Sequence, residues 1–185
     1  MILGFASAAG SLAAAALLIR LHLLPTGLNP MRDAVSDYGW TPYHRYYRAM
    51  VTLFGVAGAL LALGLSTDTD ASSLYWLWIF AACRVAIAWF MTDENPPPVT
   101  GEGRIHAILA AGAFASIALA GATVQWTGEV AALAPLGTAV WITALVTLGA
   151  LLIPRVRPVL FAAAERALYL ATIAWLLTAA MTFWA

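Results

Sequence analysis

Of 185 residues, 63% are hydrophobic and only 10% charged, and the mean hydropathy is +0.85, outside the balance of a domain that folds in water. The nine basic residues are all arginine and are matched by nine acids, so there is no basic face for a nucleic acid and that class of partner is excluded. A single cysteine, Cys83, excludes an intrachain disulfide and a multi-cysteine metal site.

The apolar windows predict an all-α integral membrane protein, one transmembrane domain over residues 1–185. Six spans are expected, at 2–24, 49–65, 73–91, 105–126, 131–153 and 159–184. The first starts at Ile2 with no basic leader and outruns the apolar core of a signal peptide, so it reads as a retained span. His22 lies in its last turn.

The first connection, from Pro25 to Arg48, has the punctuation of a short interfacial helix. Asn29 is placed to cap it, Pro30 fits the first helical position, and Gly39 can close it in the left-handed conformation. On such a helix Asp33, Ser36 and Asp37 fall at i, i+3 and i+4 and share one face. Trp40, Tyr43, Tyr46 and Tyr47 follow as interfacial anchors.

Spans two and three are joined by the short stretch 66–70, which predicts a tight antiparallel hairpin; residues 127–129 do the same for spans four and five. Arg84 lies inside the third span, and Asp93 directly follows it. After Asn95-Pro96-Pro97-Pro98 and Gly101-Glu102-Gly103, His106 opens the fourth span. The fifth connection runs through Pro154-Arg155-Val156-Arg157-Pro158, and the sixth span holds Glu165 at a depth that predicts a buried ion pair with Arg84, with Arg166 as the competing partner.

With an even number of crossings the first, third and fifth connections share one membrane face. Arg20, Arg32, Arg45, Arg48, Arg104, Arg155, Arg157 and Arg166 all lie near those three, and the two short connections have none. The positive-inside rule then places the three long connections in the cytoplasm. His22, Asp37, Asp93 and His106 end on the same face, a donor set suited to a divalent metal such as zinc, or to acid and base roles beside Ser36. Taken singly, each of these residues also reads as an ordinary interfacial hydrogen-bonding group.

The order His22-Leu23-Leu24-Pro25, Asn29-Pro30, Val35-Ser36-Asp37-Tyr38-Gly39, Asp93 and Gly103-Arg104-Ile105-His106 resembles the family catalogued as domain of unknown function 998, over nearly the whole chain. That resemblance implies a multi-spanning protein of a prokaryotic cell membrane and singles out His22, Ser36, Asp37, Asp93 and His106 without naming a reaction. The Ser36-Asp37 element also resembles eukaryotic membrane proteins of the DRAM type, in which this loop lies outside the cytosol, the opposite orientation. Ceramidase-like hydrolases are a weaker match, because the chain has no His-x-x-x-His pair.

Two functions follow from these residues. In the first, Arg32, Asp33, Arg45, Arg48 and Arg104, with Arg155 and Arg157, hold lipid headgroups or a small ligand at a polar pocket on one face, the partners being membrane lipids. In the second, the His22, Asp37, Asp93 and His106 set serves a metal-dependent hydrolase or lipid-modifying enzyme. Homo-oligomers are compatible with either.

Overall fold

A computed structural model describes residues 1–66, 71–93, 100–124, 134–153, 155 and 157–181. Among these, regular structure is entirely helical: α1 Ile2–Leu23, α2 His44–Leu65, α3 Ala71–Ile87, α4 Gly101–Thr123, α5 Ala134–Leu152 and α6 Arg157–Met181, with a short 3-10 helix Val35–Trp40 between α1 and α2. The connections predicted at 67–70, 95–98 and 127–129 lie outside the described residues.

Five helices, α1, α2, α4, α5 and the Leu160–Met181 part of α6, are long and apolar enough to cross a bilayer, the architecture of an integral membrane protein. The third differs from expectation. Its helix ends at Ile87 rather than continuing to Met91, because Trp89 and Phe90 bond back to Ala86 and Ile87 in tight i→i−3 turns. Met91 then donates its amide to the Glu102 carboxylate at 2.6 Å, which turns the chain toward α4. Thr100 caps α4, its hydroxyl accepting the Gly103 amide at 2.9 Å, so that helix starts four residues earlier than its apolar run.

Consecutive helices pack side by side, and α1 closes the bundle against α6. The 3-10 helix packs on α2 and α6. Large side chains such as Phe54, Phe80, Leu77, Trp175 and Leu176 fill the interior, whereas Ile108, Leu170 and Ile19 point outward as a lipid-facing surface would require. Helix contacts rely on small residues: Ser7 donates to the Ala57 carbonyl at 2.8 Å across α1 and α2.

The closest backbone approach is between α4 and α5. A Cβ on Gly121 would stand 2.9 Å from the Gly137 carbonyl oxygen, and one on Gly137 would collide with that of Gly121. Gly149, by contrast, faces open space. Gly121→Ala is therefore expected to cost about 1–3 kcal/mol through overpacking, whereas Gly149→Ala gains helix propensity and should unfold at the same temperature as the parent or slightly above it. Thermal unfolding of both variants in one detergent checks this, and equal midpoints would contradict the backbone contact.

Candidate functional site

The first connection does not form the helix that its punctuation suggests. The Asn29 side chain accepts the Met31 amide at 2.9 Å, and the Asn29 amide donates to Asp33 at 2.6 Å, which closes 29–33 into a turn of its own. Asp37 then reaches back to the Ala34 amide at 2.8 Å and starts the 3-10 helix at Val35. Asp33 is consequently outside the helix, and the expected face of Asp33, Ser36 and Asp37 does not exist. Gly39 is not left-handed either; the one glycine with positive φ among the described residues is Gly27, at 77°. Gly39 is instead buried against Tyr47 and Met91.

Two adjacent residues of α6 fasten this segment to the bundle. Glu165 accepts the Val35 amide at 2.7 Å, and Arg166 donates to the Asp33 carbonyl at 2.9 Å. Val35 and Tyr38 are thereby fully buried. Arg166 also donates from Nε to His22 Nε2 at 3.0 Å. Because a guanidinium can only donate, Nε2 of His22 must be the acceptor, and the proton of the neutral ring sits on Nδ1.

Beneath the segment lies a cavity of about 300 Å³, at the small end of the range for ligand sites. It draws on the first connection (Arg32, Ser36, Asp37), the described start of the third (Thr92, Asp93) and the start of α6 (Arg157), which meet at one end of the bundle. Ile87, Ala110, Phe114, Leu151 and Phe161 make its walls apolar. The rim is partly exposed; the floor, formed by Arg84, Glu165, Tyr169 and Tyr47, is buried.

Among the described residues Arg84 has Tyr169 as its hydrogen-bond partner rather than Glu165, the partner expected from depth. Its Nη1 donates to the Tyr169 hydroxyl at 2.7 Å, one turn of α6 deeper than Glu165. Its guanidinium carbon lies 4.7 Å from the Tyr169 ring centre and 5.4, 5.5 and 5.7 Å from those of Phe54, Phe114 and Phe80. Ring faces attract the cation without neutralising it. The Nε is buried with no hydrogen-bond partner.

His106 is buried and lines the cavity. Its Nδ1 lies 2.9 Å from the Phe90 carbonyl, an atom that only accepts, so Nδ1 carries the proton and the lone pair of the neutral ring is on Nε2. Asp93 is engaged by Thr100, through the amide at 3.0 Å and the hydroxyl at 2.6 Å. It also packs on Gly103, where any Cβ would strike its carboxyl.

Arg32, Ser36, Asp37, Arg84, Asp93, His106 and Glu165 thus surround one cavity, whereas His22, Asp33, Arg45, Arg48 and Arg104 do not line it. Arg48 turns to the outer face between α2 and α3, near Met91 Sδ at 3.9 Å. No group of three or more His, Cys, Asp or Glu side chains among the described residues is arranged to hold a metal ion, so the His22, Asp37, Asp93 and His106 set is not assembled. Arg166 and Tyr169 carry more of the site than the sequence suggests. Arg166 is polar in an apolar run, a signal that points equally to snorkelling and to an internal partner.

Desolvation raises the Asp37 carboxyl above its ordinary 3.8, reinforced by Asp33 and opposed by the Ala34 amide, Arg157 and Arg166. A raised value means that the fold holds the proton more tightly than the unfolded chain does. The resulting stability is complete below pH 3.8 and is lost as the pH rises through the raised value. Asp37→Asn, whose carbonyl can still accept from Ala34, should therefore gain on the parent in thermal stability as the pH is taken from 4 to 7; a constant difference would refute the assignment.

A family model described as protein of unknown function (DUF998) matches residues 8–182, which bears out the resemblance carried by His22 through His106. No curated protein and no solved structure matches the chain.

Proposed function

The chain belongs to the DUF998 family, and from its geometry we propose that it binds the polar head of a membrane amphiphile, whose anionic group rests on Arg84. The observation that carries this reading is a buried guanidinium at the floor of a cavity with apolar walls, held among the described residues by aromatic faces and one hydroxyl, its Nε without a hydrogen-bond partner. A charge so placed is costly in an apolar bundle, and an incoming anion offsets that cost. The apolar walls suit the first carbons of an acyl chain, and Arg32 and Arg157 at the rim suit a headgroup.

The reading includes six crossings and a cytoplasmic cavity. At 17 residues, α3 is about 26 Å long, close to the roughly 30 Å hydrocarbon core, and it packs between α2 and α4 as the other helices pack between their neighbours. The arginines around the first, third and fifth connections support the cytoplasmic side.

A second reading rests on His106 alone. An imidazole fixed by a backbone carbonyl, with its other nitrogen unbonded beside a cavity that also holds Ser36, suits a general base in a lipid-modifying reaction.

Lipid extracted from the detergent-washed protein and quantified by mass spectrometry tests the first reading. Near-stoichiometric amphiphile with an anionic group is expected in the parent, at least tenfold less in Arg84→Gln and in Ala110→Phe, which fills the cavity without altering charge, and an undiminished amount in Arg104→Gln. Equal lipid in all four proteins would discard it.

A further inference from the structure

The cavity is not merely a receptor for an anion. Three arginines line it, Arg32, Arg84 and Arg157, and three carboxylates, Asp37, Asp93 and Glu165. Two of the carboxylates already hold backbone: Asp37 caps Ala34, and Asp93 holds Thr100 through both oxygens. Glu165 is different. It is only 4% exposed and its Oε2 accepts the Val35 amide, whereas Arg84 is bonded to Tyr169 and Arg166 Nε to His22. Among the described residues, Val35 is the one hydrogen-bond donor to this carboxylate, which leaves Oε1 to the cavity. A purely anionic ligand would bring its charge close to this carboxylate and lose much of what Arg84 offers.

Arg84 meets α6 at Tyr169 and Glu165 lies four residues away, so the positions that hold the cationic and anionic receptors are separated by about 6 Å along that helix. We propose that the ligand is zwitterionic, with an anionic phosphate for Arg84 and, across a two-carbon link, a primary ammonium that donates to Glu165 Oε1, the chemistry of a phosphoethanolamine head. This deepens the headgroup reading and rests on it. A quaternary ammonium has no N–H to donate, and a glycerol head supplies no cation, so both are disfavoured at Glu165. The same charges occur on soluble phosphoethanolamine compounds, and the absence or presence of acyl chains separates the two sources.

The test is calorimetric titration of the detergent-purified full chain with dioctanoyl phosphatidylethanolamine, phosphatidylcholine and phosphatidylglycerol, and with chain-free glycerophosphoethanolamine. The ethanolamine lipid should bind roughly tenfold more tightly than the other two, the scale of one charge-assisted hydrogen bond. Glu165→Gln keeps an oxygen for Val35 and should erase the preference while retaining binding; Arg84→Gln should abolish binding of all three lipids. Phosphatidylglycerol or phosphatidylcholine binding as tightly to the parent would overturn the primary-ammonium assignment and leave the headgroup reading standing, and this comparison needs no variant. No lipid binding, or binding unaffected by Arg84→Gln, would overturn both. Glycerophosphoethanolamine matching the lipid would keep the zwitterion and assign a soluble ligand.

Discussion

The bonds from Glu165 and Arg166 to the backbone of the first connection are the constraint on which the site depends. Within or beside an apolar bundle, backbone amides and carbonyls that helices do not use must find partners in the protein, since water is scarce there. The stretch 29–40 has several such groups. Its own side chains, Asn29, Asp33 and Asp37, satisfy part of them, and α6 supplies the rest with one acceptor and one donor side by side in sequence. Val35 and Tyr38 can then bury their apolar surface, and the connection becomes the wall of a cavity rather than a solvated loop.

The same economy leaves two buried charges out of contact. Glu165 spends one oxygen on Val35, and Arg166 spends Nε on His22 and Nη1 on Asp33 and Ala162. Arg84, one turn deeper, meets a tyrosine hydroxyl and four ring faces. A direct Arg84–Glu165 bridge would satisfy both and close the floor. Aromatic contacts keep a guanidinium tolerable in low dielectric while leaving its charge available to something else, and that distinguishes a receptor from a structural ion pair.

Hydropathy made the helices legible, because a span must be apolar along its whole length and the chain has few charges to confuse the pattern. The end of α3 was not legible, since Ala88, Trp89 and Phe90 are as apolar as the helix they leave and the tight turn is fixed by contacts with α4. Counting crossings put Asp37, Asp93 and His106 on a common face but could not decide that they meet at one cavity. Their detailed roles were not legible either: helical spacing was applied to Asp33, Ser36 and Asp37, but Asp33 bonds the Asn29 amide and ends the turn before the 3-10 helix begins. Nor can periodicity decide which of two neighbours, Glu165 or Arg166, meets a given partner, because 100° of rotation separates them and both fit between α1 and the loop.

The two histidines show how far residue type falls short of chemistry. Both end on the same face and both are half of a plausible metal or acid–base pair in sequence. Their neighbours fix the same tautomer, with the proton on Nδ1, but use Nε2 differently: that of His22 receives a guanidinium, whereas His106 gives its Nδ1 proton to Phe90 and keeps the lone pair of Nε2 toward the cavity. A nitrogen that already accepts from an arginine can neither ligate a metal nor take a proton without breaking the clasp on the first connection. Any proton transfer or ligand contact by an imidazole in this cavity therefore falls to Nε2 of His106, and His22 acts at one remove, by holding the arginine that holds the wall.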